Sequence, residues 1–353
     1  MKITRITYER LDLKLSEPYT IAYETVDKAV NFILKVETDK GIVGYGCAAP
    51  DKEVTIETIE EVENNIKSII IPYLEKRNPF EVSKILQDLA SMLTKKASAL
   101  AMVDMALLDI AARKMDVPLY QFLGGYRKSI PTSITVGILS LDETLKKVAD
   151  YVREGFTIVK LKGGLNVWED IEKIVQIRER HTKLAIRFDA NQGYSLTDAL
   201  SFFAATQKAG IEIFEQPSVV EKAKLMGDIA HAVKIPVMAD ESIKSLGDVY
   251  ELAKKEYIDM VNIKLMKVGG ILEGTHINSV ARAAGLEAMV GCLDECSLGI
   301  AAGLHFALSR PNIQYADLDG HLDMLNDPFL NLFTLKNGIL YPCESSGLGK
   351  IDV

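Results

Sequence analysis

The chain has 353 residues, 48% of them hydrophobic and 25% charged, with a formal net charge of −8. That length suits one large domain and a smaller one. The mild, dispersed charge excludes nucleic acid as a partner, and no apolar run is long enough to span a bilayer. The opening MKITRITYERLDLKL alternates apolar and polar residues instead of forming the apolar core of a leader peptide. Four cysteines, Cys47, Cys292, Cys296 and Cys343, lack zinc-like spacing and suit reduced thiols in the cytoplasm. Cys292 and Cys296 form a redox pair only on a weaker reading.

Residues 3–11 alternate apolar and polar side chains, and 30–38 (VNFILKVET) form an apolar run, both strand patterns. Asp39-Lys40-Gly41 then closes a hairpin. Residues 18–27 (PYTIAYETVD) read as a polar loop too long for a turn, a length at which loops are often functional. Stretches 55–74 and 79–93 carry apolar side chains at helical spacing. The stretch 97–115 is apolar on nearly every side, which predicts a buried helix. Its Asp104 and Asp109 are read as structural acids that cap or pair, with a role in a site as the weaker alternative.

From Pro131 onward, short β-branched runs alternate with amphipathic helices. The runs fall at 132–138, 156–162, 184–189, 211–215, 236–240, 258–264, 286–290 and 313–316, separated by helical stretches such as 141–154 and 167–180. Alternation of this kind predicts a parallel sheet. About eight units in succession predict an α/β fold of the (β/α) barrel type, with the active site at the C-terminal strand ends. Residues 322–353 hold turn residues and a short apolar hairpin, and are expected to return to the N-terminal part.

Charged residues sit where that barrel would place a site. FDAN ends a strand at Asp189, IEIFE at Glu215 and IPVMAD at Asp240, while FTIVKLK and IDMVNIK end at Lys162 and Lys264. Any one acid alone is better explained as a cap on the following helix. Three in consecutive units would repel one another unless a cation held them, and hard oxygen ligands on rigid strands suit Mg²⁺. Lys160 and Lys162 point to one side by the period of two, and a lysine inside a barrel is costly unless paired or used. Lys162 and Lys264 are expected to face each other across the cavity. A buried lysine near another cation has a lowered pKa and can act as a base. Two facing bases fit removal of a proton from one face of a carbon and its return on the other. Lysines at exposed strand ends are the plainer alternative.

The ordered set KLK (160–162), DAN (189–191), EQP (215–217), ADES (239–242) and NIKLMKVGG (262–270), with PLYQFLGG (118–125), resembles the muconate-lactonizing-enzyme subgroup of the enolase superfamily. The resemblance runs over nearly the whole chain, and the ordered set is specific although each motif alone is weak. It implies a modified (β/α)₇β barrel (126–321) under an α+β capping domain (1–125), with 322–353 returning to the cap. It further implies Asp189, Glu215 and Asp240 as Mg²⁺ ligands, Lys162 and Lys264 as bases, and Lys160 as the group that lowers the pKa of Lys162.

Within the subgroup, ADLDG (316–320) resembles the Asp-x-Asp that dipeptide epimerases place at the last barrel strand. That implies a 1,1-proton transfer at the second residue of a dipeptide, with Asp317 and Asp319 binding its α-ammonium. The plainer reading of these acids is an acidic turn. Thr135, Cys292 and Asp294 are taken as further substrate contacts. Where L-Ala-L-Glu epimerases carry an arginine in the first loop, this chain has Glu24, and Asp51 and Glu53 follow in the next loop. The acidic cap side predicts a cationic or apolar second residue. Asp294 and Glu295 either add to that acidity or form a solvated turn, and Tyr19, Ile21 and Tyr23 could instead wall the site. The chain departs from the family at Cys47, where GYGCAAP usually carries a glutamate, a change that bears on cap packing. Racemases of N-acylamino acids, o-succinylbenzoate synthases and cycloisomerases are the alternatives within the subgroup. A Schiff-base aldolase and a non-catalytic ligand-binding paralogue are the alternatives outside it. A cytoplasmic homo-oligomer acting on a small molecule completes the expectation.

Overall fold

The computed structural model describes residues 1–20 and 25–351. Three strands, β1 (Ile3–Thr20), β2 (Thr25–Thr38) and β3 (Val43–Ala48), form an antiparallel sheet in that order. The two faces of β2 bury different cores, as its period of two requires. Val30, Phe32, Leu34 and Val36 pack with the N-terminal helices, whereas Ala29 and Ile33 join the core that continues into the barrel. The helix Ala97–Lys114 is buried along most of its length and lies directly on β3. A Cβ on Gly46 would meet the Met102 main-chain oxygen at 1.9 Å, so only glycine permits that approach.

The ladder of β1 and β2 runs out to Tyr19 opposite Val26 and Thr20 opposite Thr25. The long polar loop expected at 18–27 is therefore largely strand, because threonine, valine and tyrosine favour a paired, pleated backbone. Glu24, Ile21 and Tyr23 lie outside the described residues, and so does the side chain of Tyr19. The helix expected from residue 55 begins at Ile59, where Thr58 and Glu61 cap each other's backbone, and it is interrupted by a π-helical turn at Ile66–Ile70.

A short strand, β4 (Ile130–Pro131), precedes eight parallel strands: β5 (Ile134–Val136), β6 (Ile158–Lys162), β7 (Ala185–Asp189), β8 (Ile211–Glu215), β9 (Val237–Ala239), β10 (Met260–Lys264), β11 (Glu287–Gly291) and β12 (Ile313–Asp317). They pair in chain order, with helices between them. The last strand meets the first through Thr132, which bridges Ala316, and the Leu318 N–H donates to Thr132 Oγ1 at 2.8 Å. Ile213, Met238, Met260 and Met289 fill the interior, and Arg187 lies over the Tyr315 ring. This packing makes the barrel a solid support with its charged groups at one end.

A terminal hairpin, β13 (Phe333–Lys336) and β14 (Ile339–Pro342), turns at Asn337-Gly338, both at positive φ, and pairs with β4. Beyond it the chain contacts the long buried helix. Asp109 accepts from the N–H groups of Tyr45 at 3.0 Å and Leu348 at 2.7 Å and pairs with Arg113 at 2.9 Å. One buried carboxylate thus joins β3, the helix and the C-terminal segment. No helix among the described residues is long and apolar enough to cross a membrane. Replacing Asp109 with alanine leaves two buried N–H groups without an acceptor. A loss of about 2–4 kcal/mol in unfolding free energy is expected, read from the denaturant midpoint.

Candidate active site

Parallel pairing in register brings the charged strand ends to one rim. Lys162 stands opposite Asp189, and Asp189 opposite Glu215. Asp240 follows β9 directly, Lys264 ends β10, and Asp317 ends β12. The two lysines at the strand ends therefore flank the three acids. Immediately beyond the acids the backbone turns left-handed at non-glycine residues, with φ of 42° at Asn191, 69° at Gln192 and 33° at Gln216. Backbones held in this region concentrate at working sites.

The Lys160 ammonium occupies the middle of this rim and is buried. Its Nζ lies 2.8 Å from Glu215, 3.0 Å from Asp317 and 3.2 Å from Asp189. Burial pushes it toward the neutral form, but Asp317, Glu215 and Asp189 outweigh burial and hold it well above the ordinary lysine range. Lys264 lies 2.7 Å from Asp240 and is likewise raised, since the carboxylates overcome its burial. Lys162 makes the loosest contact, 3.9 Å from Asp189. Burial alone would raise Asp240, yet Lys264, Lys267 and Lys160 hold it well below the usual carboxylate range. Glu215 is pushed up to about 8, first by burial and then by Asp189 and Asp240.

Among the described residues the acids are not gathered around one point. Asp189 and Glu215 share Lys160, whereas Asp240 turns to Lys264 and Lys267. The donor chemistry nevertheless fits a hard divalent cation. Three carboxylates lie on adjacent strand ends, and Asn191 Oδ1, Glu241 Oε2 and Asn262 Oδ1 are buried without a hydrogen-bond partner.

Six of the seven substrate-facing residues predicted from sequence meet at one pocket over this rim, Glu24 lying outside the described residues. Thr135, Asp317 and Asp319 line its barrel side, and Cys292, Asp294 and Asp51 its other walls. Asp317 is committed to Lys160 and to the Ser133 hydroxyl at 2.6 Å, while Asp319 accepts the Thr135 N–H at 2.6 Å. Burial, then Asp317, pushes Asp319 up to about 7. Asp51 also caps its own turn, accepting from the Glu53 and Val54 N–H groups. Two of the weaker alternatives fall away. The sulfur beside Cys296 is Cys47, at 3.6 Å, in place of Cys292, because the cap is pressed onto the barrel there. Glu295 is buried and accepts the Leu293 N–H, so it belongs to no solvated turn.

Sequence reasoning passed over four residues. Gln216 accepts from the Asp240 and Ser242 N–H groups and ties two strand ends together. Asn262 donates to Glu215 at 2.8 Å, and its place two residues before Lys264 on one strand was the available signal. Lys267 pairs with the Asp240 carboxylate and donates to its main-chain oxygen. Glu241, pushed up to about 7 by burial and then Asp240, lines the pocket beside Asp240.

Comparison with known proteins agrees with this architecture. Residues 4–124 match the family described as mandelate racemase / muconate lactonizing enzyme, N-terminal domain, and 143–350 match enolase C-terminal domain-like. An L-Lys-D/L-Arg epimerase of Desulforapulum autotrophicum is 40% identical, covering 99% of each chain. The substrate-liganded L-Ala-D/L-Glu epimerase of Bacillus subtilis superposes with a TM-score of 0.96 at 35% identity, over 99% of this chain and 98% of that one. A dipeptide epimerase of Methylococcus capsulatus complexed with Mg and L-Arg-D-Lys gives 0.96 at 33% identity, over 99% of both. The chain belongs to the mandelate racemase / muconate lactonizing enzyme family of the enolase superfamily.

Proposed function

We propose that this protein is a Mg²⁺-dependent dipeptide epimerase that inverts the α-carbon of the second residue and prefers a cationic side chain there. The observation that carries the reading is the order of charges along the rim: Lys162, Asp189, Glu215, Asp240, Lys264, on successive strands. Lys162 and Lys264 are the bases on either side of the reacting carbon. One takes the α-proton, and the other returns a proton to the opposite face of the planar enediolate. Asp189, Glu215 and Asp240 would hold Mg²⁺. When bound, that ion supplies positive charge against the substrate carboxylate as negative charge develops on it. Lys160 takes no proton in this scheme. It stays charged and spaces Asp189, Glu215 and Asp317.

Asp317 and Asp319 offer carboxylates to the α-ammonium of the first residue. The same pocket is also lined by Asp51, Asp294, Glu17 and Asp323. Lys147 lines it as well, but it is paired to Glu17 at 2.6 Å. An acidic chamber favours a lysyl or arginyl side chain and repels a glutamyl one. The names of the Desulforapulum relative and of the Methylococcus complex, both with basic residues, support the same preference.

Incubation with L-Ala-L-Lys and Mg²⁺ in D₂O is expected to yield the L,D epimer with deuterium at the second α-carbon, by NMR. Chelation should abolish the exchange and added Mg²⁺ restore it. Absence of exchange with L,L-dipeptides bearing cationic, apolar and acidic second residues would sink the proposal. For the preference, kcat/KM for L-Ala-L-Lys should exceed that for L-Ala-L-Leu about tenfold and that for L-Ala-L-Glu about a hundredfold. A higher value for L-Ala-L-Glu would overturn the cationic assignment and leave the epimerase reading in place.

A further inference from the structure

An amide sits in the middle of the apolar run VNFILKV, and the structure shows what it does. Asn31 lies on β2, fully buried, on the sheet face turned to the barrel. Both ends of its side chain reach across the seam between cap and barrel. Nδ2 donates to the Asp294 main-chain oxygen at 3.0 Å, and Oδ1 accepts the Cys296 N–H at 2.7 Å. The Cys47 thiol donates to the same Oδ1 at 3.4 Å.

The segment so held is a wall of the pocket. Cys292, Leu293 and Asp294 line the cavity, and Cys296 caps the buried helix Ser297–Ser309 without a side-chain bond to its first turn. Fixed at Asp294 and again at Cys296, the backbone cannot slide along the seam, so the direction in which residue 294 meets the cavity is set from the cap. A buried amide with both ends satisfied is a specific, geometry-demanding clamp, because displacement would leave polar groups without partners.

We infer that Asn31 is a positioning residue for substrate selection: by clamping the main chain at Asp294 and Cys296, it aims the Asp294 carboxylate at the side chain of the substrate's second residue. This rests on the dipeptide reading given above. Asn31 touches no reacting atom, so its loss should spare proton transfer and impair discrimination. The cap thereby governs specificity through the barrel's own loop as well as through the residues it contributes directly.

Two measurements test the inference. In hydrogen–deuterium exchange followed by mass spectrometry, Asn31→Ala should speed exchange of the amides from Leu293 to Ser297 about tenfold or more, with the helix Ala97–Lys114 unchanged. In kinetics, Asn31→Ala should raise KM for L-Ala-L-Lys about tenfold while kcat stays within about twofold and L-Ala-L-Leu is little affected. Asn31→Asp keeps the size and the acceptor for Cys296 but sets an oxygen against the Asp294 carbonyl. It should lose the same selectivity, and it serves if the alanine variant folds poorly. Cys47→Ala, which keeps both main-chain clamps, should retain the wild-type preference. Equal losses for both dipeptides, unchanged selectivity, or unchanged exchange in the segment would each overturn the inference. If wild-type protein epimerises neither dipeptide, the dipeptide reading fails, and the exchange measurement alone then decides whether Asn31 holds the segment.

Discussion

The Lys160 ammonium is the contact on which the rest of the site depends. One buried positive charge meets carboxylates from three different strands, those of Asp189, Glu215 and Asp317. Beneath it lie Ile213, Met238, Met260 and Met289, which keep water out of the barrel interior. In such a place an unpaired charge costs several kcal/mol, so neither the lysine nor the acids are stable alone. The arrangement also joins two functions. Asp317, offered to the substrate's ammonium, and Asp189 and Glu215, offered to a metal, are held to one another through the same nitrogen. Substitution of Lys160 would therefore disturb the metal side and the substrate side together.

Four acids, Asp189, Glu215, Asp240 and Asp317, are held by four lysines, Lys160, Lys162, Lys264 and Lys267, but unevenly. Asp240 is drawn fully into its ionised form by Lys264 and Lys267, while Glu215 is pushed up toward neutrality. Asn191, Gln192 and Gln216 follow the acids in left-handed conformations, and the Asn191 N–H donates back to Asp189 at 2.9 Å. Gln216 then fastens the turn after β9 through the Asp240 and Ser242 N–H groups. Local strain is carried by a hydrogen-bonded network, as expected of a preorganised site.

Much of this was readable from sequence, for a physical reason. Parallel strands buried on both faces appear as apolar runs, so a charged residue at the end of LAIRF or IEIFE stands out, and the period of two aligns Lys160 with Lys162. The reading faltered where contacts join distant parts of the chain. The reach of the β1–β2 ladder was hidden by polar residues that pair as strand. Lys267 carries no local signal of its role, since only the fold brings it to Asp240. Nothing local singles out Asn31 in its apolar strand, because its main-chain partners lie more than two hundred residues away. The departure at Cys47 also gains a setting: its thiol meets Asn31 and lies beside Cys296, a polar knot local to this chain's cap–barrel seam.

The central claim is that Lys162 and Lys264 act on opposite faces of one carbon, and proton exchange at single-lysine variants tests it most directly. Lys162→Ala and Lys264→Ala should each be incubated with the L,L and L,D epimers of Ala-Lys in D₂O with Mg²⁺ and followed by NMR. The account predicts that neither variant interconverts the epimers, that each still exchanges the α-proton of only one of them, and that the two variants choose opposite epimers. Retained epimerisation in either variant, or exchange of the same epimer by both, would contradict it.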